Sequence, residues 1–301
     1  MKTREEHLAM IRQHSQSMEP LPTGESAVLR PLRNIEAVML DVYGTFLVSA
    51  SGDIGMSDAD SHADAFRRAV SETGLTLLTD GARGAAYLRR AVEASHGRSR
   101  EAGVDYPEVD IVAVWRETLE SLQQEGHLAG FHEETDVPTL SLCYELLTNP
   151  VWPVPGAAES LTELTVRGIH LGLISNAQWF TPLLFPALLG GELDALGIRS
   201  DMQFWSWQTG RAKPSEHLFR QAADALRGRG IEPDRVLYVG NDMLNDVLPA
   251  SATGFRTALF AGDRRSLRRR EGDPRVGTLA PDIVLLNLRD LLTCIRPGPE
   301  A

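Results

Sequence analysis

The sequence predicts a doubly wound α/β fold, in which a parallel sheet carries helices on both faces and an all-helical domain is inserted after the first strand. Three observations lead to this prediction. Five apolar runs have the length and composition of strands that are buried on both faces. Helical patterns separate the later runs. The first two runs end at Asp41 and Ser175, 134 residues apart, whereas a crossover needs only about 12 residues.

The apolar runs and the patterns between them define the core elements in chain order. The predicted strands are Glu36–Asp41, Gly168–Ser175, Arg235–Gly240, Thr257–Ala261 and Asp282–Leu286, with Met202–Ser206 as a weaker candidate. The predicted core helices include Gly156–Arg167 and Ser215–Arg227, the second of which follows Pro214 at a favourable starting position.

The long gap after the first strand has a different pattern. It contains helical periodicity at about 60–73, 82–100, 107–125 and 134–148, with little that indicates a strand. We therefore expect a helical cap domain at 57–150, lying over the carboxyl edge of a Rossmann-like core formed by 35–56 and 151–301. Residues 1–34 form an N-terminal arm that begins with a short amphipathic helix within 1–20.

Composition narrows the function to small-molecule chemistry. The formal net charge of −11 argues against a nucleic-acid-binding protein. No apolar run approaches the roughly 18 residues of a membrane span, and the N-terminus lacks the apolar core of a secretory signal. We expect a soluble cytoplasmic protein in which Cys143 and Cys294 are reduced thiols. A homodimer is left open.

Four polar clusters stand at strand ends or helix starts, where open α/β sheets bind their ligands. They are Asp41–Thr45 (Asp-Val-Tyr-Gly-Thr), Ser175-Asn176, Lys213-Pro214 and Gly240–Asp246 (Gly-Asn-Asp-Met-Leu-Asn-Asp). A strand-end carboxylate can attack phosphorus or carbon, and paired acids can hold a divalent ion. Taken alone, Asp41 is equally typical of a turn or helix cap, and each of the other clusters is more typical of a turn, a helix cap or a solvated loop, but their order and placement together are specific.

In this order the clusters resemble the four motifs of the haloacid dehalogenase-like (HAD) superfamily, over about residues 35–290. The resemblance implies a hydrolase whose helical insert is the superfamily's cap. It implies that Asp41 is a covalent nucleophile, that Ser175 hydrogen-bonds the transferred group and that Lys213 neutralises the charge between them. The implied substrate-contacting residues are Tyr43, Gly44, Thr45 and Asn176.

The same resemblance implies a Mg²⁺ cofactor. Its ligands would be Asp41, the main-chain carbonyl of Tyr43, Asp242 and Asp246. Asn241 competes for the leading place of the fourth motif, because Asp246 lies four residues after Asp242 and five after Asn241. We favour Asp242, since an ionised oxygen binds Mg²⁺ better than an amide does.

One departure from the pattern leaves the reaction open. Phosphatases of the superfamily carry a second acid two residues after the nucleophile, but this chain has Tyr43 there. The sequence Asp-Val-Tyr-Gly-Thr resembles instead the 2-haloacid dehalogenase branch, which works without metal and needs a cap arginine. The candidates for that arginine are Arg67, Arg68 and Arg116, the last beside Trp115.

The two acids of the fourth motif favour Mg²⁺-dependent hydrolysis of a small phosphate ester or acyl phosphate. The alternatives are C–X hydrolysis of a haloacid and an inactive binding protein that keeps the fold. Without an acid at position 43, a phosphatase would prefer activated leaving groups or take an acid from the cap, such as His62, His96 or a glutamate. The arginine-rich run at 264–270 is either a solvated face or an anion-binding patch.

Overall fold

The centre of the fold is a six-stranded parallel sheet. The computed structural model describes residues 1–50 and 59–295. Its strands are β1 (Ala37–Leu40), β2 (Leu47–Ser49), β3 (Thr76–Leu77), β4 (Leu128–Ala129), β5 (Val151–Pro153), β6 (His170–Ser175), β7 (Ile198–Trp205), β8 (Val236–Gly240), β9 (Arg256–Phe260) and β10 (Ile283–Leu285). The order β10-β9-β8-β1-β6-β7 places β1 in the middle of the sheet, between β6 and β8.

Helices cover both faces of this sheet and build the insert. They are α1 (Arg4–His14), α2 (Ala59–Glu72), α3 (Gly81–Glu101), α4 (Ile111–Gln124), α5 (Val137–Thr148), α6 (Ala157–Val166), α7 (Thr181–Leu189), α8 (Ser206–Thr209), α9 (His217–Arg227), α10 (Leu248–Ala252) and α11 (Leu291–Cys294). The predicted doubly wound fold is confirmed. The strand that the sequence indicated only weakly, Met202–Ser206, is the longest in the sheet, β7.

The alternation of side chains along β1 explains why the sheet has two apolar layers. Ala37 and Met39 pack in one cluster with Phe219 of α9. Val38 and Leu40 pack in a larger cluster with Leu164 of α6. Because successive side chains of a strand point to opposite faces, a strand covered on both sides must be apolar at every position.

The insert between β2 and β5 contains the four predicted helices, α2 to α5. Phe66 and Trp115 stack at its centre, with ring centroids 5.2 Å apart, and both are fully buried. Two short antiparallel pairs were not predicted: β3 with β4 inside the cap, and β2 with β5 where the chain crosses between cap and core. The expected boundary between residues 56 and 57 lies outside the described residues.

The N-terminal arm contacts both parts of the molecule. Helix α1 lies against α5 of the cap and α7 of the core. His7 Nε2 lies 2.9 Å from Thr139 Oγ1 on the cap side, and Arg12 Nε donates to the Ala187 carbonyl on the core side. Farther along, Val28 pairs with Val284 of β10 and so shields the outer edge of the sheet.

Two further expectations concern the chain as a whole. Cys143 and Cys294 are buried free thiols. Within 1–50 and 59–295, no helix is long and apolar enough to cross a bilayer.

The stacked cap core generates a stability prediction. Trp115→Ala removes a fully buried indole and should lower the free energy of unfolding by about 3–5 kcal/mol. Arg116→Ala, a surface change at the adjacent residue, should cost less than about 1 kcal/mol. Urea denaturation followed by circular dichroism measures both, and equal losses would contradict the packing described here.

Candidate active site

Loops from neighbouring strands meet at the carboxyl edge of the sheet. Asp41 follows β1, Ser175 ends β6 and Asn241 follows β8. They converge because β6, β1 and β8 are adjacent and parallel. A cavity of about 80 Å³ at this edge is lined by Asp41, Tyr43, Ser49, Asn149, Asn176, Lys213, Asn241, Asp242, Asn245, Asp246 and Arg268.

Two donors converge on one oxygen of Asp41. Ser175 Oγ donates to Asp41 Oδ1 at 2.8 Å, and Lys213 Nζ donates to the same atom at 2.7 Å. Among the described residues, no hydrogen bond reaches Oδ2 of Asp41. The carboxylate is therefore oriented through one oxygen, while the other remains available for chemistry. The three residues that the sequence singled out for catalysis are in direct contact.

Lys213 also binds a second acid. Its ammonium donates to Asp246 Oδ1 at 2.6 Å and to the Tyr238 hydroxyl at 3.1 Å. Burial disfavours the charged ammonium, but Asp246 and Asp41 outweigh it and raise the pKa of Lys213. Burial raises the pKa of Asp246 as well, and Lys213 counteracts this only in part. Lys213 is therefore a fixed cation at neutral pH.

Tyr238 was missed by reasoning from the sequence. It lies within β8, where an aromatic side chain is expected to belong to the apolar core. Its hydroxyl also donates to the Ile174 carbonyl. The signal in the sequence is a polar tip inside an otherwise apolar strand that ends at a candidate site.

The amide of Asn176 positions Lys213. Asn176 Oδ1 accepts from the Lys213 backbone N–H at 2.7 Å, and Asn176 Nδ2 donates to the Lys213 carbonyl at 3.2 Å. Gly44 and Thr45 do not line the cavity. Gly44 has a φ of 79°, and a Cβ there would lie 2.5 Å from Ser266 Cβ. Thr45 is fully buried and donates to Asn241 Oδ1 at 3.2 Å, joining the first and fourth motifs.

Tyr43 occupies the place of the second acid without replacing its chemistry. Its hydroxyl hydrogen-bonds with Thr181 Oγ1 at 2.9 Å. Burial, reinforced by the nearby Glu145 carboxylate, raises the pKa of this phenol far above its ordinary value. Tyr43 is therefore a poor source of a proton for a leaving group.

A polar chain at the crossing between core and cap was also missed. Ser49 Oγ donates to Asn149 Oδ1 at 2.7 Å, and Asn149 Nδ2 donates to Glu145 Oε1 at 3.0 Å. Ser49 and Asn149 line the cavity. The sequence could have indicated these residues through their position alone, because they lie where the chain leaves the core and re-enters it.

Asp242, the favoured leading metal ligand, is already engaged. Arg270 Nε lies 3.1 Å from both of its carboxylate oxygens, and Arg270 Nη2 makes a further short contact with Oδ2. Asp242 Oδ1 also accepts from the backbone N–H groups of Leu244 and Asn245, at 2.8 and 3.2 Å. It thereby caps a π-helical turn at Met243–Val247.

The donor set around Asp41 fits Mg²⁺ in kind, because carboxylate, amide and carbonyl oxygens are the ligands this ion prefers. Within the described ranges, however, no three acidic, histidine or cysteine side chains are arranged as a metal cluster. Coordination of Mg²⁺ by Asp242 would compete with its ion pair to Arg270. Asn241 Oδ1 accepts one hydrogen bond, from Thr45, and is less engaged, so Asn241 with Asp41, the Tyr43 carbonyl and Asp246 is the alternative donor set.

The other candidates from the cap lie away from the cavity. Arg67 and Arg68 pair with Asp64 on the surface of α2. Arg116 donates to the Glu133 carbonyl, while its neighbour Trp115 is core. Neither His62, which hydrogen-bonds Tyr144, nor His96 lines the cavity. Of the arginines in the described chain, the one lining the cavity is Arg268, from the core.

Comparison with known proteins places these motifs in context. A family model for haloacid dehalogenase-like hydrolases matches residues 35–280. The human haloacid dehalogenase-like hydrolase domain-containing protein 3 is 32% identical over 149 residues, which is 48% of this chain and 55% of that protein. Phosphoglycolate phosphatase 1 of Pseudomonas aeruginosa is 32% identical over 155 residues, 48% of each chain. The chain thus spans about half the length of the curated relatives it matches.

A solved structure shares the fold. The 2-haloacid dehalogenase from Pseudomonas syringae pv. Tomato DC3000 superposes with a TM-score of 0.53 at 18% identity, covering 86% of this chain and 96% of that one. At this identity the likeness concerns the fold alone.

The position of Glu145 generates a prediction on pH and stability. Burial raises the pKa of this carboxyl in the folded protein, so ionised Glu145 costs stability at pH values above its unfolded pKa of about 4.3. Glu145→Gln keeps the acceptor for Asn149 and should raise the melting temperature at pH 7.5. The gain should vanish below about pH 4, where the carboxyl is protonated in both states. Thermal melts across this range measure the effect.

Glu120→Gln is the matched control, since Glu120 is an exposed glutamate of the cap. A Glu145→Gln gain that is independent of pH, or a loss at pH 7.5, would contradict the assignment.

Proposed function

This chain belongs to the haloacid dehalogenase-like hydrolase family, as its four motifs predicted, and we propose that it is a phosphatase in which Asp41 is the nucleophile and a small phosphorylated metabolite is the substrate. The observation that carries the proposal is the convergence of Ser175 and Lys213 on a single oxygen of Asp41. A phosphatase among the relatives supports the reaction class.

The geometry suggests which atom reacts. Asp41 Oδ1 is held by two donors, so Oδ2 attacks phosphorus while the bond from phosphorus to the leaving oxygen breaks. The leaving oxygen then takes a proton. Water attacks phosphorus in the second step, which releases inorganic phosphate and regenerates the carboxylate. Lys213 offsets the negative charge of the two anions that are brought together.

The leaving group sets the substrate class. General acid catalysis is typically worth about 10²–10⁴-fold, and Tyr43 is a poor acid. We therefore expect a preference for aryl or acyl phosphates over alkyl phosphates, because their leaving oxygens need little protonation. The small volume of the cavity agrees with a substrate that the cap encloses.

Mg²⁺ belongs to this proposal as the cofactor. Asp41, the carbonyl of Tyr43, Asn241 and Asp246 would hold it. When bound, it would add positive charge beside the phosphoryl oxygens.

Haloacid dehalogenation is the second candidate, favoured by one observation: Tyr43 stands where phosphatases have an acid. Against it, Arg67, Arg68 and Arg116 lie away from the cavity, and residues 51–58 contain no arginine. A halide cradle from a cap arginine therefore has no candidate among the residues considered.

Turnover and isotope labelling separate the two reactions. We expect hydrolysis of p-nitrophenyl phosphate with Mg²⁺ and its loss with EDTA, and no halide release from 2-chloropropionate under either condition. In H₂¹⁸O, attack of water on phosphorus returns Asp41 unlabelled, whereas hydrolysis of a carbon ester puts ¹⁸O into its carboxylate. Mass spectrometry of the Asp41 peptide reads the difference.

Asp41→Asn, the control in that experiment, should lower kcat by roughly 10⁴-fold or more. Labelled Asp41 with halide release would establish the dehalogenase. No turnover of either substrate by a folded protein would favour the binding-protein alternative.

The metal assignment has its own test. Asn241→Asp places a carboxylate at the leading position and should tighten Mg²⁺ binding by about tenfold, since affinity follows ligand charge. Asp242→Asn should leave Mg²⁺ affinity within about twofold while lowering stability by about 1–2 kcal/mol, because asparagine keeps the capping oxygen but loses the charge that pairs with Arg270. Calorimetric titration of Mg²⁺ without substrate measures both affinities. Loss of Mg²⁺ binding in Asp242→Asn would assign the ligand to Asp242 instead.

A further inference from the structure

The cavity is short of free positive charge for an anionic substrate. Three carboxylates line it: Asp41, Asp242 and Asp246. The ammonium of Lys213 is already bonded to two of them, and Arg270 is bonded to the third. A phosphoryl group that enters therefore meets charges that are already paired, and it needs a further cation.

Arg268 is held in position to be that cation. Its backbone N–H donates to the Asn241 carbonyl at 2.9 Å, and its carbonyl accepts from the Met243 N–H at 2.9 Å. The arginine is thereby joined on both sides to the loop of the fourth motif. Its Nη1 donates to the carbonyls of Arg265 and Leu267, at 2.7 and 3.1 Å, which limits the side chain's freedom.

The charge of Arg268 is not matched by a carboxylate within 1–50 and 59–295. Three other arginines of the same loop are paired: Arg265 with Asp263, Arg269 with Glu25 and Arg270 with Asp242. Arg264 makes no ion pair among the described residues either, but it is exposed to solvent. Arg268 makes no such pair among these residues, yet it is half-buried and lines the cavity with Asp41 and Lys213. A partly desolvated guanidinium without a counter-ion is unfavourable unless a ligand supplies the anion.

We propose that Arg268 binds the phosphoryl group of the substrate, through charge-assisted hydrogen bonds from its guanidinium. This rests on the proposed phosphatase function and adds a binding residue that lies outside the four motifs. The planar fork of arginine suits the tetrahedral array of phosphate oxygens better than an ammonium does. Arg270 has a separate task, since it neutralises Asp242 and leaves Arg268 for the substrate.

Binding of orthophosphate, the product of the proposed reaction, tests this by calorimetry at fixed Mg²⁺. Arg268→Gln should weaken orthophosphate binding by about 10- to 100-fold, the equivalent of one or two charge-assisted hydrogen bonds. Arg268→Lys should recover part of the lost orthophosphate affinity, because lysine keeps the positive charge but not the planar donors of the guanidinium. Arg264→Gln is the matched control: an exposed arginine of the same loop with the same change in charge, expected to stay within about twofold.

Kinetics with p-nitrophenyl phosphate give a second readout. A binding role predicts a higher KM for Arg268→Gln at an unchanged melting temperature. If Arg268→Gln does not fold, Arg268→Lys is compared with the wild-type protein instead. Orthophosphate binding should then weaken by at least about threefold, because lysine lacks the planar array of donors of the guanidinium.

The outcomes separate the two proposals. Equal orthophosphate affinity in Arg268→Gln and wild type overturns the role of Arg268 and leaves the phosphatase standing. No orthophosphate binding by the wild-type protein, together with no phosphatase turnover, overturns the phosphatase and the role of Arg268 with it.

Discussion

The buried ammonium of Lys213 is the interaction on which the site depends. An isolated charge in this position would be strongly unfavourable, and it is tolerated because Asp41, Asp246 and Tyr238 surround it. Asp41 and Asp246 in turn could not be held so close together without the cation between them. The three groups come from separate segments, so the pairing also fixes the relative positions of the loops after β1 and β8 and the loop before α9.

The cap and the arm determine how the site is enclosed. Ser49 and Asn149 lie at the two crossings between core and cap, and their hydrogen bond closes one wall of the cavity. A second contact is formed by Glu108 of the cap, which accepts from Ser206 and Gln178 of the core. Helix α1 bridges the outside of the same junction. The cavity is therefore enclosed by several contacts whose residues lie far apart in the chain.

The site combines features that pull its chemistry in two directions. Tyr43 removes the acid that would protonate a leaving group, which is the pattern of carbon–halogen hydrolysis. Lys213 is paired with two carboxylates of the cavity, whereas Arg268 is not paired with one, and the proposed phosphoryl transfer needs both kinds of positive charge. Because none of Arg67, Arg68 and Arg116 lines the cavity, these charges support the proposed phosphoryl transfer over the dehalogenase alternative.

The apolar runs and the strand-end polar residues predicted the sheet, the helical insert and the meeting of Asp41 with Ser175, while the place of Lys213 beside Asp41 was implied by the resemblance of the motifs. This was possible because buried strands are locally apolar and because polar residues at the ends of adjacent parallel strands must meet. The sequence did not determine the polar chain from Ser49 to Glu145, the hydroxyl of Tyr238 beside Lys213 or the pairing of Arg270 with Asp242. Those contacts join residues far apart in the chain, such as Ser49 and Asn149, 100 residues apart. Which charges are paired with each other and which remain for a ligand becomes visible in the folded structure, because pairing depends on distance and burial, and local sequence patterns specify neither.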